Sequence, residues 1–224
     1  MDKNEIFFNK IKQKLIAVCP KCNASGKIDG IQCDCMNKFE MYVQYYFRGI
    51  PPTYWDLTFD DWKKDGATMA MIVDYIAHLD NALGYGLSIL FSGSNGVGKS
   101  MLMNIILKEA FAKGYKIQYL DARRLIDKNI DFNTADFLAL DNLGDEQEFF
   151  NKDVYTGKIK QLVWSRVSAM KPTLIATNLT VDKINELYGK TVHSYVVNTF
   201  KVITLAGQDY RTIMKNNWEA LLLE

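Results

Sequence analysis

The chain has 224 residues, 48% of them hydrophobic, enough apolar material for one sizeable core and a small appendage. Lysine and arginine number 27 against 26 acidic residues, a net charge of +1, so no global field marks the chain for nucleic acid or a membrane surface. The N-terminus carries no signal-peptide pattern and no apolar run is long enough to span a bilayer, which predicts a cytoplasmic protein with no membrane partner.

Residues 5–17 read as a lysine-rich amphipathic helix with Ile6, Phe7, Ile11, Leu15 and Ile16 apolar. The cysteines follow as two close pairs, Cys19 with Cys22 and Cys33 with Cys35, across a stretch that holds Gly26 and Gly30. Two disulfides would suit an oxidising compartment. In a cytoplasmic chain the same spacing predicts a structural Zn²⁺ held by four thiolates, each tight turn supplying two. Residues 36–48 form a second helical pattern with Phe39, Tyr42, Val43, Tyr46 and Phe47 along one stripe. That stripe is either core or a docking face for a partner protein. Gly49-Ile50-Pro51-Pro52 ends the helix, and residues 49–66 read as a linker. Its aromatic-dense part, Thr53 to Trp62, either straps the next domain or covers a nucleotide base.

Residues 67–83 read as one helix, and Leu87 to Phe91 as a short buried strand. The next residues, Gly93-Ser94-Asn95-Gly96-Val97-Gly98-Lys99-Ser100, fit G-x-x-x-x-G-K-[ST], the P-loop. Glycines let the backbone curl so that successive N–H groups point at phosphate oxygens. Lys99 sets an ammonium on the β- and γ-phosphates of ATP, and the Ser100 hydroxyl reaches Mg²⁺. A helix over residues 101–113 directs its positive end at the anion. Residues 115–120 are a second strand and Arg123 to Asn129 a short helix. Phe137-Leu138-Ala139-Leu140-Asp141 is a strand ending in the Walker B carboxylate, a Mg²⁺ ligand directly or through water. A helix over 154–170 leads to the strand Pro172 to Asn178, whose terminal amide would orient the attacking water. Phe200 to Leu205 is the last strand, with a terminal helix after Arg211. This alternation predicts an α/β fold with a five-stranded parallel sheet and its ligand at the carboxyl edge.

Together, Leu140-Asp141-Asn142-Leu143-Gly144-Asp145-Glu146, Lys171 to Leu179 and Gly207-Gln208-Asp209-Tyr210-Arg211 resemble the Walker B, sensor 1 and sensor 2 segments of the DnaC/DnaI-type helicase loaders and the related IstB-type transposition ATPases. The resemblance covers nearly the whole chain, the cysteine module included. It implies a zinc-binding module over residues 1–48, the linker, and a P-loop AAA+ domain over 67–224. It further implies ATP-controlled binding of a DnaB-type replicative helicase hexamer through the N-terminal module. Placement of the ring on single-stranded DNA and self-assembly on that ring belong to the same expectation. Asp141, Asn142, Asn178 and Arg211 would then be the hydrolysis residues.

The chain departs from the family in four places. Asn142 stands where a second acid is usual, and loss of a general base costs about 10²–10⁴ in rate. Ser194-Tyr195 replaces the usual Ser-Arg finger, worth about 10³–10⁵, for which Arg166 is an imperfect substitute; Glu146 is a spare carboxylate for the base missing at Asn142. The segment between Leu120 and Phe137 is short for a DNA-binding insertion. The chain beyond Leu205 leaves room for a reduced lid or none. These departures predict a nucleotide switch with weak or absent ATPase, of phage type. An IstB-like DNA-associated ATPase fits less well because the N-terminal module is not basic, and a P-loop kinase because no arginine-rich substrate lid is evident.

Overall fold

An aspartate starts the first helix. Asp2 accepts from the backbone N–H of Asn4 at 3.4 Å, and α1 (Lys3–Ala17) runs on from there. In the computed structural model, residues 2–62, 66–125, 131–148, 152–207 and 209 are described. A hairpin follows α1, β1 (Lys27–Ile28) antiparallel to β2 (Ile31–Gln32), turned through Asp29 and Gly30 at positive φ. Then comes α2 (Asp34–Phe47), which packs against α1.

The aromatic stripe of α2 is consumed in that packing. Tyr46 meets Phe7 and Phe8 at ring-centroid distances of 5.5 and 5.0 Å, and its hydroxyl donates to Asn4 Oδ1 at 2.7 Å. Tyr42 lies 4.8 Å from the Trp55 ring and donates to Asp56, while Trp55 Nε1 donates to the Ile50 carbonyl at 2.9 Å. Of the five stripe residues, Phe47 alone is exposed. Residues 50–56, read as the start of a linker, are thus tied into the first compact unit, Met1–Asp56. Trp55 spends its ring there.

The second unit is Leu57–Glu224. A capping box joins Thr58 and Asp61, and Lys108 Nζ donates to the Leu57 carbonyl. The single helix expected over 67–83 is two, α3 (Gly66–Ala77) and α4 (Leu79–Tyr85). The chain bends at His78 (φ −112°, ψ 36°), which turns Leu79 and Ala82 fully inward. The α/β core then runs β3 (Ser88–Ser92), α5 (Lys99–Ala112), β4 (Ile117–Asp121), β5 (Phe137–Leu143), α6 (Lys152–Ser168), β6 (Thr173–Thr177), α7 (Val181–Thr199) and β7 (Phe200–Thr204). The five strands form one parallel sheet in the order β4-β5-β6-β3-β7. β3, β5 and β6 are almost wholly buried, as a sheet covered on both faces requires. One face meets α6 and α7 through Leu90, Leu138, Leu140 and Ile175, while α5 packs on β4, β5 and β6.

Two boundaries differ from expectation for local reasons. β4 begins at Ile117, because Gly114 (φ 92°) ends α5 and the Tyr115 N–H returns to the Ala110 carbonyl, leaving it unavailable to the ladder. β5 runs past Asp141 through an irregularity between Leu140 and Leu143, where Asn142 has φ 59°. Of the helix expected over Arg123 to Asn129, the described part is a 3-10 turn, Ala122–Arg124. Residues 126–130 and the terminal helix expected beyond Arg211 lie outside the described residues.

Because Tyr42 and Tyr46 are interior, Tyr42→Ala with Tyr46→Ala is expected to destabilise the first unit by about 3 kcal/mol or more. Chemical denaturation followed by tryptophan fluorescence measures it, and an unchanged transition would return the stripe to a surface role.

Candidate nucleotide site and metal centre

β3 sits between β6 and β7, so the turn leaving its carboxyl end meets the ends of β6 and β5. That turn is Gly93 to Gly98, with positive φ at Gly93, Gly96 and Gly98. A Cβ on Gly93 would stand 2.2 Å from the Leu205 carbonyl oxygen, a backbone clash that leaves no room for a side chain, and one on Gly96 would stand 1.8 Å from Asp209 Oδ1 and push that side chain aside. The segment after β7 therefore lies directly on the loop, and Asp209 brings a carboxylate to it. Arg211, the expected sensor 2 residue in the same segment, lies outside the described residues.

Lys99, the first residue of α5, is buried and donates to the carbonyls of Gly93 (2.8 Å) and Ser94 (2.6 Å) and to Asn178 Oδ1 (2.7 Å). The ammonium thus joins the loop to the end of β6. One residue on, Ser100 Oγ donates to Asp141 Oδ1 at 2.9 Å. The Asn142 N–H also reaches Asp141 Oδ1 at 2.9 Å, and Tyr119 Oη donates to Oδ2 at 2.6 Å. Burial raises the Asp141 pKa, and these donors offset part of that shift. A hydroxyl and a buried carboxylate side by side are a fitting hard-oxygen pair for Mg²⁺.

Asn142 does not simply replace an acid. Its left-handed backbone is compatible with a side-chain hydrogen bond to Asp121, which pairs with Asp141 in the ladder. Burial pushes Asp121 up, but Arg123, donating from Nε (2.9 Å) and Nη2 (2.6 Å), holds it below the usual carboxylate range. Glu146, the spare carboxylate, is fully buried. It accepts from the Gly144 N–H (2.8 Å) and from Tyr188 Oη, which is a structural use.

Arg166 is no finger. It is fully buried, and it donates to the carbonyls of Phe132 (3.0 Å), Ala135 (2.6 Å), Asp136 (3.0 Å) and Pro172, and to Thr173 Oγ1 (3.1 Å). Burial lowers its pKa to about 10. Tyr195 packs its ring against the core cluster under α7.

The sequence reading missed Tyr119, Tyr188, Asp121 and Asp209. Tyr119 and Tyr188 lay in apolar patterns that made them look like core alone. Helix α7 was missed too, although Ile184, Tyr188, Val192 and Val196 recur every four residues and Thr180 caps its start. Gly189 (φ 81°, ψ 172°) interrupts the period.

In the first unit, Cys19, Cys22, Cys33 and Cys35 converge, with all four Sγ atoms within 4.8 Å of one another. Cys19 and Cys33 are 3.7 Å apart, as are Cys22 and Cys35. Four thiolates about 2.3 Å from a tetrahedral zinc lie roughly 3.8 Å apart, so the donor set fits the ion closely. The Gly26 N–H donates to Cys22 Sγ at 3.3 Å, and the backbone N–H of Lys21 lowers the Cys19 thiol to about 7. No position for water or substrate remains among four such ligands.

No protein-family model matches the sequence, and no curated protein does. Solved structures share the architecture. The structure of a DnaC helicase loader is covered over 100% of its length by 70% of this chain, with a TM-score of 0.59 and 21% identity. The fold is that of the DnaC-type helicase loaders. DnaI is covered over 94% by 72% of this chain, at TM-score 0.58 and 18% identity. Replication initiator DnaA, bound to AMPPCP and single-stranded DNA, matches over 79% of this chain at TM-score 0.56 and 17% identity. The chain spans 57% of that DnaA. The five-stranded sheet and the turn that follows β3 thus share the fold of those structures. Among the described residues, no helix is long and apolar enough to cross a membrane.

Metal-dependent folding of the cysteine module follows from its size: two two-residue strands supply almost no core. One zinc per chain is expected by elemental analysis. Cys22→Ser should release it and expose roughly residues 18–36 to protease while the second unit stays folded; absence of zinc in chelator-free protein would contradict this.

Proposed function

We propose that the chain is an ATP-controlled helicase loader of the DnaC/DnaI type. It binds a DnaB-type replicative helicase hexamer through its zinc module and helps place the ring on single-stranded DNA in DNA replication. The observation that carries this reading is the loader fold with an intact phosphate cradle: Lys99, Ser100 and Asp141 stand together at the carboxyl edge of β3 and β5. One of the similar structures is a DnaC helicase loader, and similar DnaA structures hold AMPPCP.

In this reading Gly93 to Ser100 and Asp141 hold Mg²⁺ and ATP, and Asn178, held by Lys99, senses the γ-phosphate. Hydrolysis is weak. Asn142 is an amide that takes no proton, Glu146 is spent on Tyr188, Arg166 on backbone carbonyls, and Tyr195 is no cation. A protein that binds ATP and is slow to hydrolyse it acts as a switch whose bound state persists until its partner acts on it.

The zinc module offers the apolar contact. Ile28 and Ile31 are cross-strand partners on the hairpin, and both side chains are exposed. Ile31→Asp is therefore expected to weaken the complex with the host's replicative helicase at least about ten-fold, with zinc content and ATP binding unchanged. Native mass measurement of the mixture with and without ATP reads the complex. Equal complex formation by Ile31→Asp would move the helicase contact elsewhere, and no complex at all with wild-type protein would overturn the loader reading.

A further inference from the structure

Asp209 rests its carboxylate on the loop that follows β3. A Cβ on Gly96 would stand 1.8 Å from Asp209 Oδ1, 2.0 Å from Cγ and 2.4 Å from Oδ2. The whole carboxylate thus fills the space that the missing side chain leaves open. Gly96, at φ 74°, lies mid-way along the turn from Gly93 to Gly98. Such a turn gathers anions, because its glycines aim backbone N–H groups at oxygen ligands and a helix, α5, begins just behind it. At Gly96 the chain supplies an anion of its own.

The point from which Asp209 reaches the loop is fixed. β7 pairs with β3 as far as Thr204 against Ser92. Leu205, itself buried, then donates its N–H to the Ser92 carbonyl at 2.8 Å and sets its own carbonyl against Gly93. Four residues lead from there to Asp209, among them Gly207 at φ 122°. A step of four residues spans at most about 14 Å. The carboxylate can therefore leave Gly96 but not the neighbourhood of the site. An anion on so short a tether competes at an effective concentration on the order of millimolar. Because β3 lies between β6 and β7, the loop is flanked by two carboxylates of different use. Asp141, from the β5 side, accepts from Ser100 and makes with it the hard-oxygen pair suited to Mg²⁺. Asp209, from the β7 side, meets a glycine that brings no such hydroxyl, so its charge faces the phosphates themselves.

We propose that Asp209 sets the affinity and the selectivity of the nucleotide site, as an internal anion that a nucleotide's phosphates must displace and that discriminates against nucleotide arriving without Mg²⁺. The inference rests on the nucleotide-site reading and adds a residue to it. Uncomplexed ATP brings about four negative charges to the loop and its Mg²⁺ complex about two, so repulsion by one nearby carboxylate falls harder on the uncomplexed form. The half-buried position of Asp209 keeps water from screening that repulsion fully.

The test is equilibrium titration of the full-length protein with a fluorescent ATP analogue, once in excess Mg²⁺ and once in EDTA. Asp209→Asn should tighten binding of the Mg²⁺ complex about five-fold, the scale of one charge repulsion at a partly exposed site. It should tighten uncomplexed ATP by a larger factor, so that the ratio of the two affinities falls. Asp209→Ala, which leaves no amide to bond the loop, should give the same two shifts. Adding Lys99→Ala to either variant should remove the binding, which places the gain at the P-loop. Equal affinities in wild type and both variants would overturn the proposal. Weaker binding by both would overturn it as well, and would make Asp209 a group that holds the nucleotide or its metal. Tightening by one factor with and without Mg²⁺ would also overturn it, because a removed charge acts more on the more highly charged ligand. Failure of the underlying reading looks different. No titratable binding by wild type or by either variant would overturn the nucleotide site and the role of Asp209 together, whereas equal affinities overturn the role of Asp209 alone.

Discussion

A single buried ammonium holds the nucleotide site together. Lys99 Nζ is shared by two carbonyls of its own loop and by the amide of Asn178 on another strand. Without it, three acceptors would face one another across a loop whose remaining conformation is set by glycines at positive φ. The lysine can do this because β3 lies between β6 and β7, which brings the loop and the end of β6 to one edge. The same ammonium is the group that phosphates of a nucleotide would draw away. In the proposed reading, binding exchanges internal acceptors for phosphate oxygens, and Asn178, released by Lys99, registers the exchange.

Next to it, the Walker B strand handles an electrostatic problem. Asp121 and Asp141 are paired in register on adjacent strands, two carboxylates side by side. The structure answers with Arg123 on one, and with three donors, from Ser100, Tyr119 and the Asn142 backbone, on the other. In that setting an amide at 142 relieves charge where an acid would add a third carboxylate. In the proposed reading, slow hydrolysis and a well-formed cradle both follow from that amide.

Much of this was legible from the residues. The P-loop, the Walker B strand and the cysteine pairs have fixed spacings because phosphate and zinc geometry fix them, and the structure places Lys99, Ser100 and Asp141 together and the four thiols within reach of one ion. β3, β5 and β6 were readable because a strand buried on both faces needs a nearly unbroken apolar run, and β4 and β7 by their mix of apolar and polar positions. What escaped depends on contacts between distant segments. Nothing near Tyr119 in sequence announces that its hydroxyl meets Asp141, and nothing near Arg166 announces that it caps loops at Phe132 and Pro172. Tyr42 and Tyr46 were ambiguous because a stripe that packs on a neighbouring helix has the same period as one that packs on a partner. Gly189 hid a helix by setting a helix-breaking residue inside a four-residue period that continues on either side of it.

The central claim is a site that binds MgATP through Lys99 and hydrolyses it slowly. Equilibrium titration of MgATP with turnover measured on the same sample tests it most directly. The account predicts saturable binding that Lys99→Ala abolishes, with wild-type turnover well below about 1 s⁻¹, the low end of ordinary enzymes. Binding that survives Lys99→Ala, or wild-type turnover near the common value of about 10 s⁻¹, would contradict it.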